Sequence, residues 1–67
     1  MVWKEKSKDF WVHKNKKKAV LIDYEGKGWV ASKNEYNSAG IFVKVVRKSR
    51  PTQSIKQAQK YAKQYMK

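Results

Sequence analysis

Apolar positions in this chain come in short blocks with a period of two, and then, after Pro51, in one block with a helical period. Asp9–Lys14 (DFWVHK) and Lys18–Tyr24 (KAVLIDY) are rich in β-branched and aromatic residues and flank an N-K-K loop, which predicts a β-hairpin. Glu25–Gly28 (EGKG) predicts a tight turn, with two glycines available for positive φ. Gly28–Asn34 (GWVASKN) is the next strand, EYNSAG a polar loop closing on Gly40, and Ile41–Arg47 (IFVKVVR) the last strand. Connections this short impose an antiparallel meander. Pro51 ends the ladder by Arg50, because it has no N–H to donate.

Beyond Pro51, Thr52 or Ser54 can cap a helix, and Ser54-Ile55-Lys56-Gln57 has capping-box spacing. Ile55, Ala58, Ala62, Tyr65 and Met66 form one apolar stripe. Lys56, Lys60, Lys63 and Lys67 form a basic stripe, read as a solvated face. The expected fold is α+β: a small antiparallel β-meander of three to four strands packed against one C-terminal α-helix. Residues 1–67 form a single domain, with 9–47 the sheet and 52–66 the helix. Residues 1–8, with Lys4, Lys6 and Lys8 alternating, read as a loose basic arm or a strand extension.

Side-chain alternation then assigns faces. Ile41, Val43 and Val45 are wholly apolar and are expected under the helix, with Phe42, Lys44 and Val46 opposite. Lys33 marks Trp29, Ala31 and Lys33 as the open side, and Asp23 marks Val20, Ile22 and Tyr24 as the buried set. Trp29 carries two readings, core residue or ligand platform. The expected open face bears Trp29, Lys33, Phe42 and Lys44.

Charge changes the picture most. Seventeen basic residues stand against five acidic ones, a formal net charge of +12 in 67 residues. A chain this short buries only about 60% of its unfolded surface, and self-repulsion works against so small a core. A polyanionic partner relieves that repulsion, and nucleic acid is the first candidate. Cysteine is absent, so no disulfide or thiolate metal site staples the fold. No apolar run approaches the roughly 18 residues of a membrane span, and MVWKEKSKDF lacks a signal-peptide core. These features predict a cytoplasmic protein with no membrane partner, nucleoid-associated if it binds DNA, or nuclear in a eukaryote.

Catalysis has little to stand on. One histidine, His13, reads as a surface strand residue, and of the five acids only Asp23 and Glu25 lie close in sequence. That pair could be a general acid/base pair or a metal site, but neutralisation of Lys27 and the hairpin lysines is the simpler reading. No enzyme activity, cofactor or metal is expected. What remains is aromatic plus basic: lysines neutralise phosphates, and aromatic faces stack on or wedge between bases. The hairpin tip supplies Lys14, Lys16, Lys17 and Lys18, the next turn Lys27, and the open face Trp29, Lys33, Phe42 and Lys44. A second basic cluster, Lys44, Arg47, Lys48 and Arg50, holds the only arginines, suited to bidentate contacts.

From about Ala19 to Tyr65 the chain resembles three-stranded-sheet-plus-helix DNA-binding modules, the plant ethylene-response-factor type and the arm-binding domain of tyrosine recombinases. Gly28-Trp29-Val30-Ala31 is similar to the middle-strand G-x-W of that group, and Ala58-Gln59-Lys60-Tyr61-Ala62 to its helix pattern A-x-x-Y. The resemblance implies a sheet that enters the major groove, with contacts from Trp29, Lys33 and Lys44. It departs from that pattern in using lysine where those strands use arginine, and in an extra hairpin strand before the match. The outline, strands then a C-terminal helix in a lysine-rich chain, is also similar to the seven-kilodalton chromatin proteins of crenarchaea.

Three functions compete. The first is low-specificity binding of double-stranded DNA through the open face, chromatin-like or accessory to recombination or transcription. The second is a single-stranded DNA or RNA binder stacking bases on Trp29, Phe42 and Tyr24. The third is a small viral-type inhibitor docking on an acidic protein surface.

Overall fold

The computed structural model describes residues 2–66. It is α+β: a five-stranded antiparallel sheet in the order β1-β2-β3-β4-β5, with one C-terminal helix. The strands are β1 (Trp3–Ser7), β2 (Phe10–His13), β3 (Lys18–Glu25), β4 (Gly28–Tyr36) and β5 (Phe42–Lys48), and the helix is α1 (Ile55–Tyr65). The strand beyond the expected three to four is β1, formed by residues that also read as a loose arm. Lysine and glutamate are poor strand formers. Here β2 completes the ladder, the Lys14 N–H donates to the Val2 carbonyl at 2.6 Å, and Trp3 anchors the segment against the core.

Each turn has its own chemistry. At the β2–β3 tip the Lys16 N–H donates to the His13 carbonyl at 2.8 Å, and Lys16 sits at φ 63. The Asn15 side chain accepts from the Lys17 N–H at 2.8 Å. Between β3 and β4 only Gly26 uses positive φ, at 55. Gly28 is there for close approach instead: a Cβ on it would lie 2.3 Å from the Thr52 carbonyl oxygen. Glu35 and Tyr36, expected in the following loop, extend β4; Asn37 closes that loop by accepting from the Ala39 and Ile41 N–H groups at 2.9 and 3.0 Å.

The segment after β5 ties helix to sheet. Trp29 and Thr52 exchange backbone hydrogen bonds of 2.9 and 2.8 Å, and Ser49 bonds to Ala31 through both its N–H (2.8 Å) and its Oγ (2.9 Å). Ser54 is the N-cap, accepting from the Gln57 N–H at 3.3 Å. The Gln57 side chain reaches back to the Gln53 N–H at 3.1 Å rather than to Ser54 itself.

The core lies between α1 and the β3–β4 pair, where Trp11, Val20, Ile22 and Ala31 meet Ala58, Ala62 and Tyr65. Both helix alanines are fully buried, which lets the backbone come close to the sheet. Trp3, Trp29, Ile55, Tyr61 and Met66 pack around them. Val20 and Ile22 are buried as expected, while Tyr24 shares their face but is exposed.

Two face assignments are corrected. Trp29, Ala31 and Lys33, expected on the open side, face the helix, since they pair with Tyr24, Ile22 and Val20. Lys33 was a misleading marker because a lysine can cover apolar surface with its stem and keep its ammonium at the edge; its Nζ lies 5.8 Å above the Trp3 ring. The set Ile41, Val43 and Val45, expected under the helix, is exposed, because α1 packs on β3 and β4 and β5 is the sheet edge. Two bulges also break the alternation there. Lys33 pairs with Arg47 but Asn34 with Val45, and Glu35 pairs with Lys44 but Tyr36 with Phe42, so Val46 and Val43 are extra residues. Phe42 is on the open face as expected, whereas Lys44 lies on the helix side, beside Glu35.

Candidate nucleic-acid interface

Strand register sorts the charges by end. At the hairpin end lie the β2–β3 tip, the β4–β5 turn and the start of β1, and this end gathers Lys4, Lys14, Lys16, Lys17, Lys18, Lys33 and Lys44, with Glu35 and, in the row of Lys33, Glu5 as its carboxylates. At the opposite end, around the β1–β2 and β3–β4 turns, lie Asp9, Asp23 and Glu25. Glu25 pairs with Lys48 at 2.8 Å, the ion pair found among the described residues, and Asp9 accepts from the Ser7 hydroxyl at 2.7 Å. The partner of Glu25 is therefore Lys48 rather than Lys27.

The open side of the hairpin end combines aromatic and basic groups. Phe42 is 53% exposed and meets Tyr36 edge to face, ring centroids 6.0 Å apart. The Tyr36 N–H donates to the Lys17 carbonyl at 2.6 Å, which fixes this aromatic pair beside the lysine tip. Across the sheet, a groove of about 410 Å³ is lined by Val2, Lys4, Lys6, Val12, His13, Lys14 and Lys16. Four lysines over a valine floor, with no carboxylate in the lining, suit a phosphate-bearing ligand. Asn34, between these features, is buried to 9% exposure, and its Oδ1 has no hydrogen-bond partner among the described residues.

The helix side of the same end holds a second cationic group. Lys33 and Arg47 are direct partners across β4 and β5, and Lys18 lies along β3 beside them. Burial, then the charges of Lys18 and Arg47, hold the Lys33 ammonium below the usual lysine range. The Arg47 guanidinium sits 5.6 Å from the Tyr65 ring centre. Burial raises the Tyr65 hydroxyl above the usual tyrosine value, with Arg47 opposing.

Of the residues singled out from sequence, the fold brings Lys14, Lys16, Lys17, Lys18, Lys33, Lys44 and Phe42 to the hairpin end. Arg47, the next-to-last residue of β5, lies on the helix side directly opposite Lys33. Lys27 is at the far turn, and Lys48 is ion-paired near it. Arg50 lines a separate groove of about 590 Å³ with Thr52, Gln57, Lys60, Tyr61 and Gln64. Trp29 packs beside the core and edge-on to Tyr24 at 5.1 Å, so it offers no open-face platform. In the helix stripe, Lys56, Lys60 and Lys63 are exposed, and Lys67 lies outside the described residues. Sequence reasoning missed Lys4, Lys6 and Tyr36 as site residues. The alternation of Lys4, Lys6 and Lys8 was the available signal for the first two; Tyr36 was hidden by its placement in a loop. No family model, curated protein or solved structure matches the chain.

Proposed function

We propose that this is a nucleic-acid-binding protein that engages double-stranded DNA with low sequence specificity. The observation that carries this is the segregation of charge: lysines crowd the hairpin end beside the half-buried Tyr36 and the exposed Phe42, while three of the five carboxylates lie at the other end. Lysines of this kind neutralise phosphates and position the protein without reading bases. The exposed Phe42 ring is placed to contact sugar or wedge at a base step. Stacking of a single strand needs a series of platforms; Trp29 is packed against the core and Tyr24 is on the opposite face from Phe42, so duplex is the better reading.

The test is a binding titration on random duplex across salt. Contacts to 6–10 phosphates give a loss of about 10³–10⁵ in affinity between roughly 50 and 200 mM salt. No binding at about 50 mM excludes the reading, and tighter binding to an oligo-dT strand than to duplex moves it to single strands. One observation favours a protein partner as a second reading: Ile41, Phe42, Val43, Val45 and Val46 are all exposed along the β5 edge. A pull-down partner that survives nuclease treatment supports it; loss of every partner on nuclease treatment removes it.

A further inference from the structure

Lys33 and Asn34 are neighbours in β4 at a bulge, and their side chains go to opposite faces of the sheet. Neither is answered among the described residues. Lys33 has no ion pair among the described residues, and the Asn34 Oδ1 has no donor. On the helix side, Lys33 is steadied over the Trp3 ring, and Arg47 over the Tyr65 ring. Aromatic faces hold these cations in place and leave their charge uncompensated. Of the carboxylates on that side, Glu35 lies in the neighbouring row between Lys18 and Lys44, and Glu5 opposite Trp11. His13 stands edge-on to Trp3, and Lys63 is the basic residue of the last helical turn.

We propose that Lys18, Lys33 and Arg47 form a second phosphate-binding site on the helix side, so that the sheet docks on duplex end-on, its hairpin end held by backbone phosphates on both faces. This rests on the nucleic-acid reading above and changes its geometry. A sheet lying face-on in a groove would leave these three cations pointing away from the ligand. A hairpin entering the major groove, about 12 Å wide, has a phosphate backbone on either side. The open-side groove with Lys4 and Lys16 meets one backbone, and the helix-side trio meets the other. Burial, and after it the charges of Lys18 and Arg47, lower the proton affinity of Lys33, and a bound phosphate offsets the second of these causes.

Three double variants decide between the geometries: Lys4→Gln/Lys16→Gln on the open side, Lys18→Gln/Lys33→Gln on the helix side, and Lys27→Gln/Lys56→Gln, at the far turn and the first turn of α1, as a control with the same change in net charge. Each lost phosphate contact lowers the slope of log K against log salt by about 0.9, so end-on docking predicts a drop of about 2 for each of the first two pairs and less than about 1 for the control. If the helix-side pair matches the control while the open-side pair drops, end-on docking is overturned and nucleic-acid binding stands. If the wild type fails to bind duplex at about 50 mM salt, the underlying reading falls as well. A readout on unaltered protein guards against misfolded variants: the Trp3 indole N–H resonance shifts on titration with a short duplex, while that of Trp29 does not. An unmoved Trp3 signal overturns the proposal.

Discussion

Lys16 occupies a left-handed backbone conformation, at φ 63, where glycine or asparagine is the cheaper residue. Replacing it with glycine removes the strain and adds some chain entropy to the unfolded state, so Lys16→Gly should stabilise the fold by about 0.5–1 kcal/mol. The same change should weaken duplex binding and lower the salt slope by about 1. Thermal melts and a salt titration on one variant check both signs. Lys33 makes a parallel case through its charge. Below its lowered folded pKa the folded and unfolded chains are both protonated, and the folded one carries the whole penalty. Between that pKa and the unfolded 10.5 the unfolded chain binds more protons, so stability rises with pH and then levels off. Lys33→Met should therefore melt higher than wild type at pH 7, and the gap should narrow as pH rises through the lowered value. Asn34 belongs with them, a buried amide oxygen without a donor among the described residues. Three residues that oppose stability thus lie toward one end of the sheet, the end that the proposed function assigns to a ligand.

At the scale of elements, β5 and the β4–α1 junction carry the lesson. Two bulges in β5 defeat any face assignment made by counting in twos, because each adds a residue that belongs to neither face. Nothing in IFVKVVR marks where they fall. The helix, by contrast, was legible in outline: expected over 52–66, it runs from Ile55 to Tyr65, capped by Ser54, one of the two candidate caps, and Ala58, Ala62 and Tyr65 are buried on the stripe read from the sequence. Ser54→Ala should cost about 1 kcal/mol, a shift of about 4–8 °C in melting temperature. Gly28 could be recognised as a turn residue but not as the point where β4 touches the Thr52 backbone. Gly28→Ala drives a methyl group into that carbonyl and should cost about 1–3 kcal/mol or more, read as a lower denaturant midpoint with an unchanged slope.

For the whole molecule, small size and high charge set the terms. A domain of this length has a stability of about 3–10 kcal/mol, and a net charge of +12 works against it. Ile22→Ala, which removes buried surface under the helix, should cost about 2–5 kcal/mol and leave little margin. Duplex bound to the folded chain alone should raise the melting temperature in proportion to the logarithm of its concentration, and added salt should cancel the effect.

The amino-acid sequence alone determined the class of fold, the hairpin, the turns, the helix with its buried stripe, and the large excess of positive charge. Those follow from local periodicity and from charge, which need no partner across the chain. Tertiary structure decided which face of the sheet the helix covers, that Trp29 packs against the core, that residues 3–7 join the sheet, and that lysines spread along the sequence meet at one end. Each of these depends on strand register and on where a helix only 11 residues long comes to rest, and neither is encoded within any one element.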